Sequence, residues 1–432
     1  MNNAHLKIVK QQWILNTSPG YLRVKMTRSS TEIHLTICLI LSTVIMQSVT
    51  AVEIPWQPAR TVDDAAPWAI NPATLGVNYQ SAWGYEFGGA HVQVANDALD
   101  LAIYKDYNGS YLSSADKDLI LNRIMDENLS GSLSIQGRVA TLRAGRLAYI
   151  MRAYASATGS IDKDFVELTF YENDLDREYF MFNKGHSLCM SSFGFSYGQK
   201  IAEFGGWQIA GGGGVQIIFP LKAVEVVESS GSVHTEERGI SGSGYTVTRR
   251  SDGTGRGVSF DMGIWAAYEL LEISITIRNF GPKIIWPEAI EERIDFQMDQ
   301  WSFDQGEDGY ESVDSTVTLA DWKTELPTSV TLLAAAHAPW GNVNLSVNRG
   351  LVRSGGQRVE TRFLFGTELY LLHWLRPRLG IRMGGVEDPS GAAGARLNLW
   401  HLHTDFFISG FKIPNGSSKG LTIGASLGLG EI

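Results

Sequence analysis

Hydrophobic and polar residues alternate with a period of two along much of this chain. From Gly257 to Tyr268, the residues Val258, Phe260, Met262, Ile264, Ala266 and Tyr268 fall on one face, and Gly257, Ser259, Asp261 and Gly263 on the other. Successive side chains of a strand point to opposite faces, so this is a strand with one apolar and one small or polar face. Leu271, Ile273, Ile275 and Ile277 alternate with Glu272, Ser274, Thr276 and Arg278, and Leu379, Ile381 and Met383 with Arg378, Gly380, Arg382 and Gly384. The pattern recurs from Leu133 to Val139, with Arg138 in its polar phase, from Val343 to Val347 and from Leu421 to Leu429. Asn108-Gly109, Asp252-Gly253 and Asn415-Gly416 supply turns between such runs. The pattern predicts an all-β, antiparallel chain.

Two segments break the rhythm. Ser114, followed by Asp116, Lys117 and Asp118 and then Leu119, Ile120, Leu121 and Ile124, reads as a capped short helix, and Asp162 to Tyr171 as another. Both fit insertions between strands. From Pro287 to Glu325 the alternation is poorer, and twelve acidic residues stand against Arg293 and Lys323. This stretch is expected to be a long acidic loop outside any membrane.

Periodicity alone does not say which face is wet, because a soluble sandwich alternates too. Three features favour a transmembrane barrel. Many runs reach about ten residues, the length of a spanning strand. The polar face carries Gly and Ser with scattered Arg and Glu, and Trp340, Tyr370, Trp374 and Trp400 sit near run ends. A secreted soluble β protein is the competing architecture.

Composition sharpens this picture. With 432 residues, 44% hydrophobic, 46 Gly and 2 Cys, both disorder and a small disulfide scaffold are excluded. Arg23, Lys25 and Arg28 precede an apolar run from Ile33 to Val49, and Val49-Thr50-Ala51 supplies a cleavage site, so residues 1–51 read as a signal peptide with an upstream extension and a working start at Met26. The run is shorter than the roughly 20 residues of a spanning helix. Residues 1–51 hold Lys7, Lys10, Arg23, Lys25 and Arg28 against Glu32, so the remainder carries 31 basic and 45 acidic residues, a net of −14. That field repels phosphate backbones and argues against nucleic acid as a partner. Cys38 lies in the signal, leaving Cys189 alone and no intramolecular disulfide.

Asp63-Asp64-Ala65, then five residues, then Asn71-Pro72-Ala73 resembles the N-terminal signature of outer-membrane proteins of the long-chain fatty-acid transporter (FadL) type, a group that also includes PorV-type secretion barrels and uncharacterised families. Gly257 to Gly263, Leu326 to Val330, Gly366 to Tyr370 and Arg378 to Gly384 resemble barrel strands of those uncharacterised members. The resemblance implies a barrel of about fourteen strands over residues 81–432, with an N-terminal hatch over 52–80 inside it and passage of apolar substrates through hatch and wall. Pro72 fixes φ and lacks an N–H, and Asn71 can bond its own backbone, so the pair suits a rigid turn that does not join the sheet. The chain departs from the barrel pattern at its last residues, Gly430-Glu431-Ile432, which lack a terminal aromatic.

Candidate site residues follow. The hatch motif is Asp63, Asp64, Asn71, Pro72 and Ala73, whose polar groups are expected to meet the lumen arginines Arg138, Arg278, Arg378 and Arg382; Asp261 is a further polar lumen residue. Gly211, Gly212, Gly213 and Gly214 are a candidate wall kink and exit, with close packing on the hatch as the alternative. They are no phosphate loop, since no Lys-Ser or Lys-Thr follows. Gly194-Phe195-Ser196-Tyr197-Gly198 matches a hydrolase elbow, but its alternation is that of a strand. His401, His403 and Asp405 would share one strand face and are a candidate metal site, with a polar lumen cluster as the alternative.

The expected function is an outer-membrane channel for an apolar small molecule such as a fatty acid, with no catalysis and no cofactor. The alternatives are a PorV-like barrel holding a protein partner and a secreted soluble binding protein. Outer-membrane lipid is the expected surrounding medium.

Overall fold

The computed structural model describes residues 70–77, 83–124, 128–171, 174–237, 239–251, 253, 255–301, 310–325, 328–351, 361–384, 389–412 and 419–430. The signal segment, Cys38, Asp63, Asp64, the Asn415-Gly416 turn and the last two residues lie outside that set.

Along the chain the strands are β1 (Trp83–Asn96), β2 (Asn128–Ala144), β3 (Leu147–Asp162), β4 (Glu178–Phe180), β5 (Lys184–Phe204), β6 (Trp207–Glu236), β7 (Gly239–Ser251), β8 (Gly257–Tyr268) and β9 (Leu271–Phe280). They continue with β10 (Ile284–Trp301), β11 (Tyr310–Thr324), β12 (Ser329–Ala338), β13 (Gly341–Gly350), β14 (Arg362–Leu369), β15 (Leu375–Gly384), β16 (Ser390–Leu399), β17 (Leu402–Lys412) and β18 (Gly420–Gly430). Fourteen of these close an antiparallel barrel, in the order β1-β2-β3-β5-β6-β8-β9-β12 and then β13 to β18, which returns to β1. Closure leaves no open edge in the wall, the condition for a sheet to cross lipid.

Burial in the wall is inverted relative to a soluble protein. On β8, Ser259 and Asp261 are buried while Val258, Phe260, Met262 and Ile264 are exposed. On β9, Glu272, Ser274 and Thr276 are buried while Leu271, Ile273 and Ile275 are exposed, and on β13 Asn342, Asn344, Ser346 and Asn348 line the inside. Leaving so many large apolar side chains in water would forfeit about 1.5–3 kcal/mol each, so the medium outside is lipid and the soluble reading fails.

Short turns sit at one end of the barrel. Ala144 to Leu147 and Phe204 to Trp207 turn on glycines with positive φ, Gly145, Gly205 and Gly206, and Trp400 occupies another turn at φ 56°. Trp207 and Tyr268 pack at 5.3 Å at this rim, and Trp340 stands in the β12–β13 turn. Aromatic rims are the expected interface anchors.

The opposite end carries the insertions. Helices α1 (Leu101–Tyr107) and α2 (Ser114–Arg123) join β1 to β2, and α3 (Lys163–Tyr171) follows β3. The cap of α2 is Ser113, one residue before the expected start, in a capping box with Asp116. Asn108-Gly109 ends α1 instead of joining two strands; Asn108 is its C-cap.

The acidic stretch Pro287 to Glu325 is a correction to the loop expectation: it forms the hairpin β10–β11. Strand β6 leaves β8 after Ile218 and pairs with β7 from Ala223 to Glu236; β7 pairs with β10, β10 with β11, and β4 with the far side of β6. A five-stranded sheet, β4-β6-β7-β10-β11, therefore projects beyond the wall. It has no lipid face to satisfy, so its strands need no apolar alternation, and the period-two signal is lost there. Aromatic packing compensates: the ring of Phe296 on β10 lies over Gly244 and Gly231 on the neighbouring strands.

Candidate functional site

Inside the barrel, the 3-10 turn Pro72–Gly76 is buried at every residue. Asn71 is extended, and its Oδ1 accepts from the Ala73 N–H at 2.9 Å while the Thr74 hydroxyl donates to the Asn71 carbonyl at 2.8 Å. Pro72 stands at the first position of the turn, where its missing N–H costs nothing. The Asn71 amide also donates to the Ile264 carbonyl of β8 at 3.4 Å. Asn71 was expected to meet a lumen arginine; it bonds its own turn and the wall, because the short side chain reaches only backbone groups beside it.

The seat of this turn is built from glycine. Gly198 on β5, Gly212 on β6 and Gly263 on β8 are direct cross-strand partners in one row. A Cβ at Gly198 or Gly212 would overlap the Pro72 backbone, and one at Gly263 would overlap the Asn71 side chain. A Cβ at Gly76 would in turn overlap the backbone of Gln199. The contact is thus backbone against backbone. Around it, Ala73, Ala210 and Trp265 form a small apolar cluster.

This settles where the run Gly211–Gly214 belongs. Gly212 and Gly214 are in the inward phase and Gly211 and Gly213 in the outward phase of β6. The ladder is continuous through all four, to β5 on one side and β8 on the other. No kink opens the wall, since paired neighbours on both sides hold the strand, and close packing on the N-terminal turn accounts for Gly212. On the outer face the bare glycines leave a furrow of about 640 Å³ lined by Phe195, Tyr197, Val215, Phe260 and Met262 among others. Only one layer of backbone separates this furrow from the buried turn.

Two polar layers fill other parts of the lumen. Arg138 on β2 pairs with Glu86 on β1 at 2.8 Å. Arg152 on β3 reaches past two strands to Asp261 on β8 at 3.2 Å, where the Gln216 amide of β6 also donates at 2.5 Å. Across β14 to β17, Arg378 pairs with Glu368 and, at 2.9 Å, with Asp405, and Arg396 donates to Asp405 at 3.0 Å. Arg382 is buried in the same lumen and Arg278 is half-buried on β9. All five expected lumen residues thus lie on the inner face, although not in one cluster. Glu86, Arg152, Gln216, Glu368 and Arg396 escaped sequence reasoning. Each occupies the polar phase of an alternating run, as Gln216 does between Val215 and Ile217.

Towards the projecting sheet the lining becomes apolar. Leu188, Met190, Ile218 and Ala223 meet Ile284, Trp286, Ala289 and Trp322 in one cluster, with Tyr154 and Leu319 at its edge. The Trp286 and Trp322 rings stack at 5.9 Å, and Trp286 Nε1 donates to Thr324 Oγ1 at 2.8 Å.

The remaining candidates are not brought together into one group among the described residues. Ser196 lies within the unbroken strand β5, its phase inward, with no strand-to-helix turn. Asp405 is engaged by two arginines and His403 is buried against Gly428, whereas His401 sits exposed in the β16–β17 turn. Among the described residues no group of three His, Cys, Asp or Glu could hold a metal ion.

The chain matches no family profile and no curated protein. Among solved structures it is similar to the Pseudomonas putida toluene transporter TodX, at 11% identity over 89% of this chain and 98% of that chain, with a TM-score of 0.50. A Pseudomonas aeruginosa FadL homologue aligns at 11% identity over 89% and 99%, with a TM-score of 0.47. The shared feature with the toluene transporter is the fold.

Proposed function

We propose that the protein is an outer-membrane channel for an apolar small molecule, in which the N-terminal segment acts as a hatch. The observation that carries this reading is the buried turn Pro72–Gly76 seated on Gly198, Gly212 and Gly263 in the middle of a wall that is otherwise a closed ladder. A barrel this wide leaves a bore that lining side chains do not fill. A segment that occupies it through backbone contacts, with one side-chain hydrogen bond to the wall among the described residues, is suited to move.

The furrow outside Gly213 offers an apolar surface at the lipid face, whereas the apolar cluster around Trp286 and Trp322 is closed and would have to part to admit a hydrocarbon at the mouth. The hatch seat lies against the inner side of that furrow's wall. Passage from mouth to furrow requires that the hatch shift and the β5–β6 or β6–β8 ladder part locally. That a similar solved barrel is a toluene transporter supports an aromatic hydrocarbon as cargo, and a fatty acid is the cargo that the sequence resemblance implies. Export through a cleaved signal ending at Ala51 and the start at Met26 belong to the same reading.

The test is uptake. Cells lacking their own hydrocarbon channels are given this protein or an empty membrane, and entry of radiolabelled toluene and palmitate is timed. Faster entry of either is the expected result. Entry no faster than with the empty membrane, from a correctly inserted barrel, contradicts the channel.

A further inference from the structure

The projecting sheet has two edges, and they are treated differently. At one edge, β4 is only three residues long, and the Phe180 N–H on its open side is taken by the Asp164 carboxylate of α3 at 3.0 Å. At the other, β11 runs for 15 residues and pairs, among the described residues, with β10 alone. Every residue from Glu311 to Thr318 is exposed, Val313 by 63% and Val317 by 56%. A long edge of this kind presents a row of backbone donors and acceptors that proteins usually blunt with proline, bulges or cover. β11 contains none of the first, and the β10–β11 register has no shift.

We propose that the β11 edge is a strand-addition site for an extended, cationic segment of another protein. Backbone pairing along Glu311 to Thr318 would supply the binding, and the charge of the edge selects the partner. On β10, Glu291, Glu292 and Asp295 are already matched by Arg249, Arg250 and Arg293. On β11, Glu311, Asp314 and Asp321 form no ion pair among the described residues; with Lys323 near its end the strand keeps a net negative charge, concentrated at Glu311 and Asp314 within the exposed stretch. A second copy paired across Glu311 to Thr318 would bring the two Asp314 carboxylates close together and be repelled. Glu311 and Asp321 point to one face of the sheet and Asp314 to the other, so an added strand with lysine or arginine on both of its faces places charges beside them. The site is separate from the lumen and stands whether or not the barrel conducts.

The experiment uses the full-length protein in detergent and a fluorescent peptide of about ten residues built of Val and Thr with Lys at positions on both faces. Two further versions are N-methylated on alternate residues, one blocking the first edge of the peptide and one the second. The parent peptide should bind and slow amide hydrogen exchange across Glu311 to Thr318. One N-methylated version should bind like the parent and the other at least about tenfold more weakly, since only one edge of the peptide can pair. Glu311→Lys with Asp314→Lys should weaken the parent by a similar factor. Equal binding of both N-methylated versions would mean charge attraction without strand addition and overturns the proposal. So does the absence of peptide binding, or protection of β11 by lipopolysaccharide and calcium with no effect of the peptide.

Discussion

Two sides of the same lumen solve the problem of a wide bore in opposite ways. On the β5-β6-β8 side, the inward positions Gly198, Gly212 and Gly263 carry no side chain, and a separate segment fills the space. On the β14-β17 side, Glu368, Arg378, Arg396 and Asp405 fill it from the wall itself in a charge-paired layer. Outside, the two sides are alike: Phe195, Phe260 and Met262 on one, Phe363, Phe365, Ile381 and Phe406 on the other, all exposed to lipid. The outer face records the medium, which is uniform. The inner face records what lies against each strand, and there a bare wall marks a docking place.

The hardest blow to the charged side is Asp405→Ala. It leaves Arg378 and Arg396 buried with a shared partner gone, and should cost about 3–5 kcal/mol, read as a lowered urea midpoint of the folded barrel in liposomes. The shared outer face comes next. Phe260→Arg should cost about 2–4 kcal/mol in the same assay, and Ser259→Arg, facing the lumen, much less. Equal costs would erase the inside–outside distinction. On the bare side, Gly212→Leu should lower stability by about 1–3 kcal/mol through overpacking. Its distinctive effect is on the turn: a cysteine placed at Ala73, in a Cys189→Ser background, should become reactive to a water-soluble maleimide only when Gly212 is also changed.

The smallest effect lies outside the lumen. Arg177 donates to both Glu167 oxygens, at 2.5 and 2.8 Å, and these bonds hold the Glu167 carboxyl below its usual range. A depressed folded value stabilises the fold above the unfolded pKa, and that stability is lost as pH falls through the folded value. The protection of the α3 amides relative to their intrinsic exchange rates should therefore fall as the pH drops below the usual glutamate range, by a few tenths of a kcal/mol for this partly exposed pair, and Glu167→Gln should abolish that fall.

The wall was legible in the sequence because lipid imposes apolar residues on every second position of each spanning strand. Val258 to Ile264 could be assigned to their faces from the sequence alone, as could the inward phase of Arg138, Asp261, Arg278, Arg378 and Arg382. The projecting sheet was not legible: beyond the cluster of Trp286 and Trp322 its strands have no lipid face, so β10 and β11 lose the alternation and look like an acidic loop. Within the site, the Asn71-Pro72 turn was readable from the properties of those two residues. Its seat was not, because Gly198, Gly212 and Gly263 are up to 65 positions apart and only strand register aligns them. The partners of the arginines depend on the same register, which is why Glu368 and Asp405 emerged only with the fold.

A hatched channel requires that the segment carrying the turn at Asn71 to Gly76 close the bore, and single-channel recording in planar bilayers tests this directly. Deleting Thr61 to Thr74 should leave the barrel inserted and heat-modifiable on gels while raising its conductance well above that of the intact protein. An inserted barrel whose conductance is unchanged by the deletion would contradict the hatch and the transport reading built on it.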